Sequence, residues 1–264
     1  MSGDGPTTPQ GAFAELTRAS GRGALVTVMR SADAGVAVGA RMLVRPDGST
    51  EGALGDDALE RAAVAHADEL MWAERSEARE EGGALLFVDA VFPSPRLVIF
   101  GAIDFAAQLC TLARTCGFRP YVVDPRAFFA RQERFPDAEE VIATWPDAAF
   151  ERLGGIDRAM AIAVLTHDPK LDDAALSVAL RSPAGYVGAM GSTRTQKKRR
   201  ERLLAAGLTD GELERLAAPI GLDLGSVTPQ ETALSIMSEI VAVRRGREGG
   251  RLVAARRRVQ EVAT

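Results

Sequence analysis

Residues 185–202 read GYVGAMGSTRTQKKRRER, and this stretch indicates the fold of the chain more clearly than any other. It begins with a short apolar strand at 186–187 and continues through a glycine-containing loop. A helix follows, which we expect to begin at Ser192 or Thr193. A strand that leads through a glycine loop into a helix is the unit from which parallel α/β sheets are built.

The loop and the helix start also have the features of an anion site. Gly188 and Gly191 bound the loop in this interpretation, and Ser192 lies at the helix start. The first backbone N–H groups of a helix have no partner within the helix and attract anions. Arg194 and Lys197 add positive charge in the first turns. These residues therefore predict a site for a phosphate group.

Strands and helices alternate along the chain upstream of this stretch. The predicted elements are a strand at 97–100, a helix up to 116, strands at 120–123, 140–142 and 160–165, and a helix at 172–181. This alternation predicts parallel βα units in a Rossmann-like, doubly wound α/β sheet. A last helix is marked by Thr228 as its cap, Pro229 in its first turn and Glu231 as the partner in a capping box.

The N-terminal part of the chain has a different pattern. It contains strand-like runs and one long helical stretch, at 24–29, 41–44, 56–81 (helical) and 84–92. We interpret this part as a smaller α+β domain. The sequence Pro93-Ser94-Pro95 is typical of a linker. The predicted division is an N-terminal domain at 1–92, a Rossmann-like domain at 96–247 and a tail at 248–264.

The sequence GAIDFA at 101–106 occupies the place of the glycine turn in a dinucleotide-binding fold. Gly101 supplies the first glycine and Asp104 opens the helix, but Ile103 replaces the second glycine and should crowd a pyrophosphate. Asp124 ends the next strand, where a carboxylate can bind ribose hydroxyls. The alternative is that the turn is only scaffold and that Asp124 caps a turn.

Two further candidates for cofactor binding lie in loops. His167 follows the strand at 160–165, at the carboxyl edge where open α/β sheets bind ligands. An imidazole beside Asp168 can transfer protons or bind an anion, or else Asp168 caps the next helix and His167 is an exposed loop residue. Asp223, in the sequence APIGLDLG at 218–225, either positions the ligand or belongs to a structural turn.

Composition excludes several classes of protein. With 264 residues, 46% hydrophobic and 26% charged, and a net charge of −4, the chain has the composition of a soluble globular protein and does not suit a polyanion partner. Four adjacent basic residues at 197–200 point in different directions around a helix, and no aromatic residues lie between them, so we expect no nucleic acid. Those that do not face the ligand, Arg199 among them, should be solvated.

Cysteine usage and the chain start indicate the compartment. Cys110 and Cys116 lie on different sides of one predicted helix and are a poor disulfide pair, which favours a reducing environment. The first residues have no signal-peptide pattern, and no apolar run approaches membrane length. We therefore expect a cytoplasmic protein without a membrane partner.

The segments ALVTVMR at 24–30, GARMLVRPDGSTEGALG at 39–55, and the basic stretch at 185–202 resemble the XdhC family. Members of this family are maturation factors for the molybdenum cofactor of xanthine dehydrogenase and related hydroxylases. The resemblance covers most of the chain, from about 25 to 247. It implies that the chain holds molybdenum cofactor, as molybdopterin or its nucleotide form, as a binding and transfer chaperone rather than an enzyme.

The same resemblance implies partners. The chain would aid sulfuration of the cofactor, in contact with a cysteine desulfurase, and its insertion into a xanthine dehydrogenase or carbon monoxide dehydrogenase type apoenzyme. A homodimer is left open. The alternative function is that of an NAD(P)-binding Rossmann oxidoreductase, against which stand Ile103 and the lack of a recognisable Tyr-Lys or Cys-His catalytic set.

One departure from the family concerns metal binding. Many members have a Gly-Gly-Cys motif, whose thiolate would suit molybdenum. This chain has Leu54-Gly55-Asp56 instead, with no cysteine. We therefore expect no protein ligand to the metal, while binding of the pterin phosphate remains expected.

Overall fold

The computed structural model describes residues 8–166 and 168–254, and the chain divides into two compact units, Met1–Pro93 and Ser94–Thr264. The first unit contains, in order, α1 (Pro9–Arg18), β1 (Gly23–Ser31), β2 (Arg41–Val44), β3 (Thr50–Ala53), α2 (Asp57–Ala73), β4 (Glu77–Glu81) and β5 (Ala84–Val91). Its five strands form an antiparallel sheet in the order β3-β2-β1-β5-β4.

The core of the first unit lies between this sheet and α2. Alternate residues of β5 are buried, as expected for a strand with one covered face. They pack with a stripe on α2 that comprises Leu59, Ala63, Ala67, Leu70 and Met71. Asp56 caps α2 by accepting a hydrogen bond from the Leu59 N–H at 2.8 Å.

The helix predicted at 56–81 is wrong in its last third. It ends at Ala73, because Glu74 adopts the left-handed conformation (φ 55°, ψ 54°). Residues 77–81, EAREE, have high helix propensity but form β4, which pairs with β5. Propensity is the weaker effect here, since pairing with a neighbouring strand satisfies the backbone of the whole segment.

The second unit alternates strands and helices. Its elements are β6 (Arg96–Phe100), α3 (Asp104–Thr115), β7 (Arg119–Val123), a 3₁₀ turn (Gln132–Arg134), β8 (Glu140–Ile142), α4 (Pro146–Arg152), β9 (Ala161–Val164), α5 (Pro169–Arg181), β10 (Tyr186–Ala189), α6 (Thr193–Ala205), α7 (Asp210–Leu213), β11 (Leu216–Ala217) and α8 (Pro229–Arg244). The six strands lie in the order β11-β10-β9-β6-β7-β8, and every neighbouring pair is parallel.

This strand order confirms the predicted Rossmann-like, doubly wound fold. The chain builds the sheet outward from β6 in one direction, then returns to β9 and builds outward in the other. The reversal lies between β6 and β9, and in open α/β sheets the carboxyl ends of such strands form the ligand crevice. The central strands are apolar on both sides, since all four residues of β9 are buried.

The helix ends agree with the sequence signals. Thr228 and Glu231 form the predicted capping box of α8, and Ser192 caps α6. Helix α5 begins at Pro169, earlier than predicted, because Asp168 caps it. In the described ranges 8–166 and 168–254, no helix is long and apolar enough to cross a bilayer. Most of the predicted tail at 248–264 lies outside the described residues.

Candidate functional site

Gly101 directly follows β6 and lies against the residues that follow β9. Its φ is +113°, and a Cβ atom at this position would lie 3.1 Å from the Thr166 backbone nitrogen. Its N–H donates to the Val123 carbonyl at 2.9 Å. Glycine is therefore required here by conformation and by space, at the point where the strand order reverses.

Asp124 is wholly buried at the end of β7 and is fully occupied by internal hydrogen bonds. Its carboxylate accepts from the Ala102 N–H at 3.0 Å and from the Arg126 N–H, Nε and Nη2 at 3.0, 2.8 and 2.7 Å. Burial raises the pKa of Asp124, but the hydrogen bonds and the positive charge of Arg126 outweigh it and hold the pKa below its ordinary value. No carboxylate oxygen is exposed to a ribose.

The other residues of this turn also have internal partners. Asp104, in the first turn of α3, is exposed and pairs with Arg134 at 3.2 Å. Ile103 packs against the apolar core below α3. The turn thus keeps the first glycine of a dinucleotide site but neither the second glycine nor a free carboxylate.

The end of β9 is fixed by buried hydrogen bonds. The Thr166 hydroxyl donates to Asp172 at 2.5 Å and accepts from the Asp168 N–H at 3.0 Å. The Asp168 carboxylate accepts from the Lys170 N–H at 2.9 Å, so Asp168 caps α5, as one of the two sequence interpretations proposed. His167 lies outside the described residues.

The start of α6 presents free hydrogen-bond donors. Ser192 Oγ accepts from the Thr195 N–H at 3.3 Å, whereas the N–H groups of Thr193 and Arg194 have no hydrogen-bond acceptor among the described residues. The Arg194 and Lys197 side chains are exposed and form no ion pair within the described part of the chain. Two backbone donors and two free cations therefore lie in the first turns of one helix.

The two glycines before this helix have different roles. Gly191 has φ +138° and shapes the loop, and its carbonyl accepts from the Gln196 side chain at 3.2 Å. Gly188 lies within β10 rather than at the edge of the loop, so its predicted position is wrong. A Cβ atom there would lie 2.6 Å from Cγ1 of Ile220, and this glycine therefore makes room for a neighbouring side chain.

Arg199 is a buried structural residue, which corrects the prediction that it is solvated. Its side chain is 1% exposed. Nη2 donates to Asp172 at 2.6 Å and to the Met190 carbonyl at 3.0 Å, and Nη1 donates to Gln196 at 2.5 Å. Because Asp172 also binds Thr166, this buried pair connects the loop after β10 to the end of β9.

The loop at 218–225 packs against the same end of β10. The Ile220 N–H donates to the Ala189 carbonyl at 3.1 Å, and the same carbonyl accepts from the Gln196 side chain at 3.3 Å. The two segments singled out in the sequence thus meet at Ala189. Asp223 lies in this loop, is exposed, and forms no hydrogen bond or ion pair with another described residue.

A partly buried carboxylate, that of Glu239, holds the middle of this loop. Tyr186 donates its hydroxyl to Glu239, which also accepts from the Gly221 N–H at 2.8 Å. Burial and the carboxylate of Glu239 raise the pKa of Tyr186, so its hydroxyl stays protonated.

The sequence interpretation missed the segment 126–135, which we call the arginine–phenylalanine arm. It follows β7 at the carboxyl edge of the sheet and reads RAFFARQERF. Phe128 is 73% exposed, and the Arg131 guanidinium lies 5.4 Å from the centroid of its ring. The signal in the sequence is two adjacent phenylalanines between arginines in a segment that should be polar loop.

Neither thiol is placed to bind a metal at this edge. Cys110 is buried in α3, and burial raises its pKa to about 12. Cys116 is exposed at the other end of that helix. Where many family members have a cysteine, the Leu54 and Gly55 N–H groups donate to Glu60 at 2.7 and 3.3 Å. No metal-binding cluster of His, Cys, Asp and Glu occurs among the described residues.

Both units match known families. Residues 97–240 match the XdhC Rossmann domain, and residues 16–86 match the XdhC and CoxI family. The molybdenum cofactor insertion chaperone PaoD of Escherichia coli (strain K12) is 26% identical over 279 residues, which cover 88% of this chain and 87% of that protein. A probable xanthine dehydrogenase subunit of Bacillus subtilis (strain 168) is 28% identical over 160 residues, 61% of this chain and 46% of that protein.

A third relative and one solved structure extend this picture. The uncharacterized protein YqeB of Escherichia coli (strain K12) is 27% identical over 230 residues, 80% of this chain and 41% of that protein. The chain thus spans less than half the length of two of the three relatives. A crystal structure described as a xanthine dehydrogenase from Bacillus halodurans is similar in fold, with a TM-score of 0.59 and 24% identity over 89% of this chain and 66% of that chain.

Proposed function

Because this chain belongs to the XdhC family, we propose that it is a maturation chaperone that holds the molybdenum cofactor and delivers it to an apoenzyme. The apoenzyme is of the xanthine dehydrogenase or carbon monoxide dehydrogenase type. The chain also aids sulfuration of the cofactor, for which its partner is a cysteine desulfurase. It acts in the cytoplasm, and a homodimer fits this role.

The observation that carries the proposal is the free start of α6. Phosphate oxygens accept strong hydrogen bonds from backbone N–H groups at a helix start and from guanidinium groups. The N–H groups of Thr193 and Arg194, the Arg194 side chain and Lys197 offer these donors together. A phosphate monoester, such as that of the pterin, fits them in charge and in hydrogen bonding.

The other residues of the edge hold this site in place. Gln196 and Arg199 donate to carbonyl groups of the loop at 189–191, so the helix start that follows this loop does not have to be ordered on binding. Gly101 and Asp124 shape the crevice beside it, and His167 and Asp223 remain candidates for direct contact. When bound in the client enzyme, the cofactor would supply redox chemistry at its metal, whereas the residues of this chain would hold its phosphate end.

The donor set does not fit direct coordination of molybdenum. A soft metal prefers thiolate ligands, and one of the two thiols is buried with a raised pKa of about 12. We therefore propose binding through the organic part of the cofactor.

An NAD(P)-dependent oxidoreductase is the weaker proposal. Dinucleotides need close approach of the backbone at the second glycine and a carboxylate on the ribose. In this chain Ile103 stands at the position of the second glycine. The carboxylate of Asp124 has no free oxygen with which to bind a ribose.

The test compares two arginines on the same helix. Arg194→Ala removes a charge-assisted contact, and Arg200→Ala removes an equal charge that pairs with Asp210. Molybdenum cofactor released from a purified enzyme should bind Arg194→Ala less tightly by about 1.5–3 kcal/mol, which is about 10- to 150-fold. Arg200→Ala should bind within about 2-fold of the parent.

Two results would contradict the proposal. If Arg194→Ala binds the cofactor as the parent does, the phosphate lies elsewhere. If the parent binds NADH tightly and does not bind the cofactor, the oxidoreductase is the better proposal.

A further inference from the structure

The arginine–phenylalanine arm is anchored to the glycine turn at both of its ends. Arg126 binds Asp124, and the same carboxylate accepts from the Ala102 N–H at 3.0 Å. Arg134 donates to the Ala102 carbonyl at 3.0 Å. The backbone of one turn residue is therefore bound from both sides, and the arm has a defined position at the carboxyl edge.

The C-terminal part of the arm is also fixed by residues that follow it in the chain. The Gln132 side chain donates to the Ala138 carbonyl at 3.1 Å and accepts from the Val141 N–H at 3.0 Å. Phe135 is buried in the core. These contacts hold the arm against β8. The middle of the arm is therefore exposed to solvent although both of its ends are anchored.

The middle of the arm presents two aromatic rings to solvent. Phe128 and Phe129 are 73% and 37% exposed, and their ring centroids lie 5.3 Å apart in an edge-to-face arrangement. The Arg126 and Arg134 guanidinium groups lie 4.7 and 6.0 Å from the centroid of Phe129. Arg131, near Phe128, forms no ion pair with another described residue. The result is an anchored apolar surface bordered by positive charge.

We propose that the exposed ring of Phe128, supported edge-to-face by Phe129, is a stacking platform for the planar heteroaromatic ring of the ligand whose phosphate binds at the start of α6. This inference rests on the proposed function and names the second half of the same site. The arm follows β7 and the phosphate site follows β10, on the same edge of the sheet. Three strand spacings, roughly 15 Å, separate these strands. A phosphorylated heterocycle is shorter than this distance, and the exposed side chains of Arg194 and Phe128, which extend from the two strand ends, would cover the remainder.

The chemistry of the arm favours this occupant. Aromatic side chains stack on planar heterocycles without requiring a specific hydrogen-bond pattern, and nearby arginines favour an anionic molecule. A nucleic-acid strand would need a continuous basic path along its backbone, whereas this chain has a net charge of −4. A single phosphorylated heterocycle fits better.

The test uses two probes that differ by the ring. Guanosine 5′-monophosphate has a phosphate and a bicyclic ring, and ribose 5-phosphate has only the phosphate end. The full chain should bind the nucleotide more tightly. Phe128→Ala should weaken nucleotide binding by about 5- to 150-fold and leave ribose 5-phosphate unchanged, because stacking on one ring is lost. Calorimetric titration measures both.

Two further variants separate stacking from folding. Phe128→Trp keeps a stacking surface, so it should retain the preference for the nucleotide and show quenching of its added fluorescence. Phe87→Ala, at a position that is 38% exposed in the first unit, should change neither affinity.

The stacking proposal is overturned if the parent shows no preference for the nucleotide, or if Phe128→Ala keeps the whole preference. It is also overturned if Phe128→Ala leaves both affinities unchanged and lowers only cofactor delivery, since the arm then faces a partner protein. Failure of the proposed function looks different. In that case molybdenum cofactor does not bind, whereas the nucleotide preference persists.

Discussion

Removal of the buried Arg199 side chain should destabilise the second unit strongly. Arg199→Met replaces a buried cation by an apolar side chain of similar length. Asp172 then keeps its hydrogen bond from Thr166 but loses the guanidinium 2.6 Å away. The Met190 carbonyl and the Gln196 side chain lose a donor as well.

The expected magnitude follows from the burial of both partners. The side chains of Arg199 and Asp172 are 1% and 4% exposed. Once Arg199 is replaced, water therefore does not stabilise the buried charge of the Asp172 carboxylate. Breaking such a pair by removal of one partner costs about 3–5 kcal/mol. For a unit of this size each kcal/mol lowers the melting temperature by about 2–4 °C, so the shift should be about 6–20 °C.

Thermal unfolding followed by circular dichroism measures the shift, with Arg200→Ala as the matched control. That residue is exposed on the same helix, and its loss should change stability by no more than about 0.5 kcal/mol. Asp172→Asn combined with Arg199→Met should recover part of the loss, because no unpaired charge then remains buried. If Arg199→Met melts within 2 °C (about 0.5 kcal/mol) of the control, the buried pair does not hold this edge.

The remaining predictions concern the thiols and one carboxylate. A thiol reagent should modify Cys116 in the folded protein and Cys110 only on unfolding, because Cys110 is buried with a raised pKa of about 12. Replacement of both cysteines by Ala should leave cofactor binding unchanged. A large loss of cofactor binding with a normal circular dichroism spectrum would instead identify one of them as a metal ligand. The folded pKa of Asp124 is lowered, so its contribution to stability is fully present above the unfolded pKa of about 3.9 and is lost as the pH falls through the folded pKa. Asp124→Asn should therefore lower stability at neutral pH and flatten the acid limb of the stability curve, and an unchanged acid limb would show that this carboxylate is not linked to folding.

The fold was predictable because its signals are local and repeated. Alternating apolar strands and helical patterns determine the parallel sheet, and the Thr228–Glu231 capping box marks α8 from the sequence alone. Strand β4 was not predictable from its composition, because it forms through pairing with β5 rather than through its own propensity.

The candidate site was predictable only in part, because several of its residues depend on distant partners. The sequence pattern predicts that every basic residue in the run at 197–200 is solvated. Arg199 differs from its neighbours only because it pairs with Asp172, which lies 27 residues earlier in the chain. Asp124 matches a ribose-binding pattern, yet Arg126 and Ala102 occupy it. The free donors at Thr193 and Arg194 follow from helix geometry alone, and for that reason the sequence located them.

The most direct test of the central claim is transfer of the cofactor to a client. The chain is purified from cells that make molybdenum cofactor, its pterin content is measured by fluorescence after oxidation, and it is mixed with a cofactor-free hydroxylase of the xanthine dehydrogenase type. A maturation chaperone should carry the pterin, and hydroxylase activity should appear in proportion to the loaded chain, with less activity for Arg194→Ala. Absence of pterin from the purified chain, together with no gain of activity over free cofactor at the same concentration, would contradict this role.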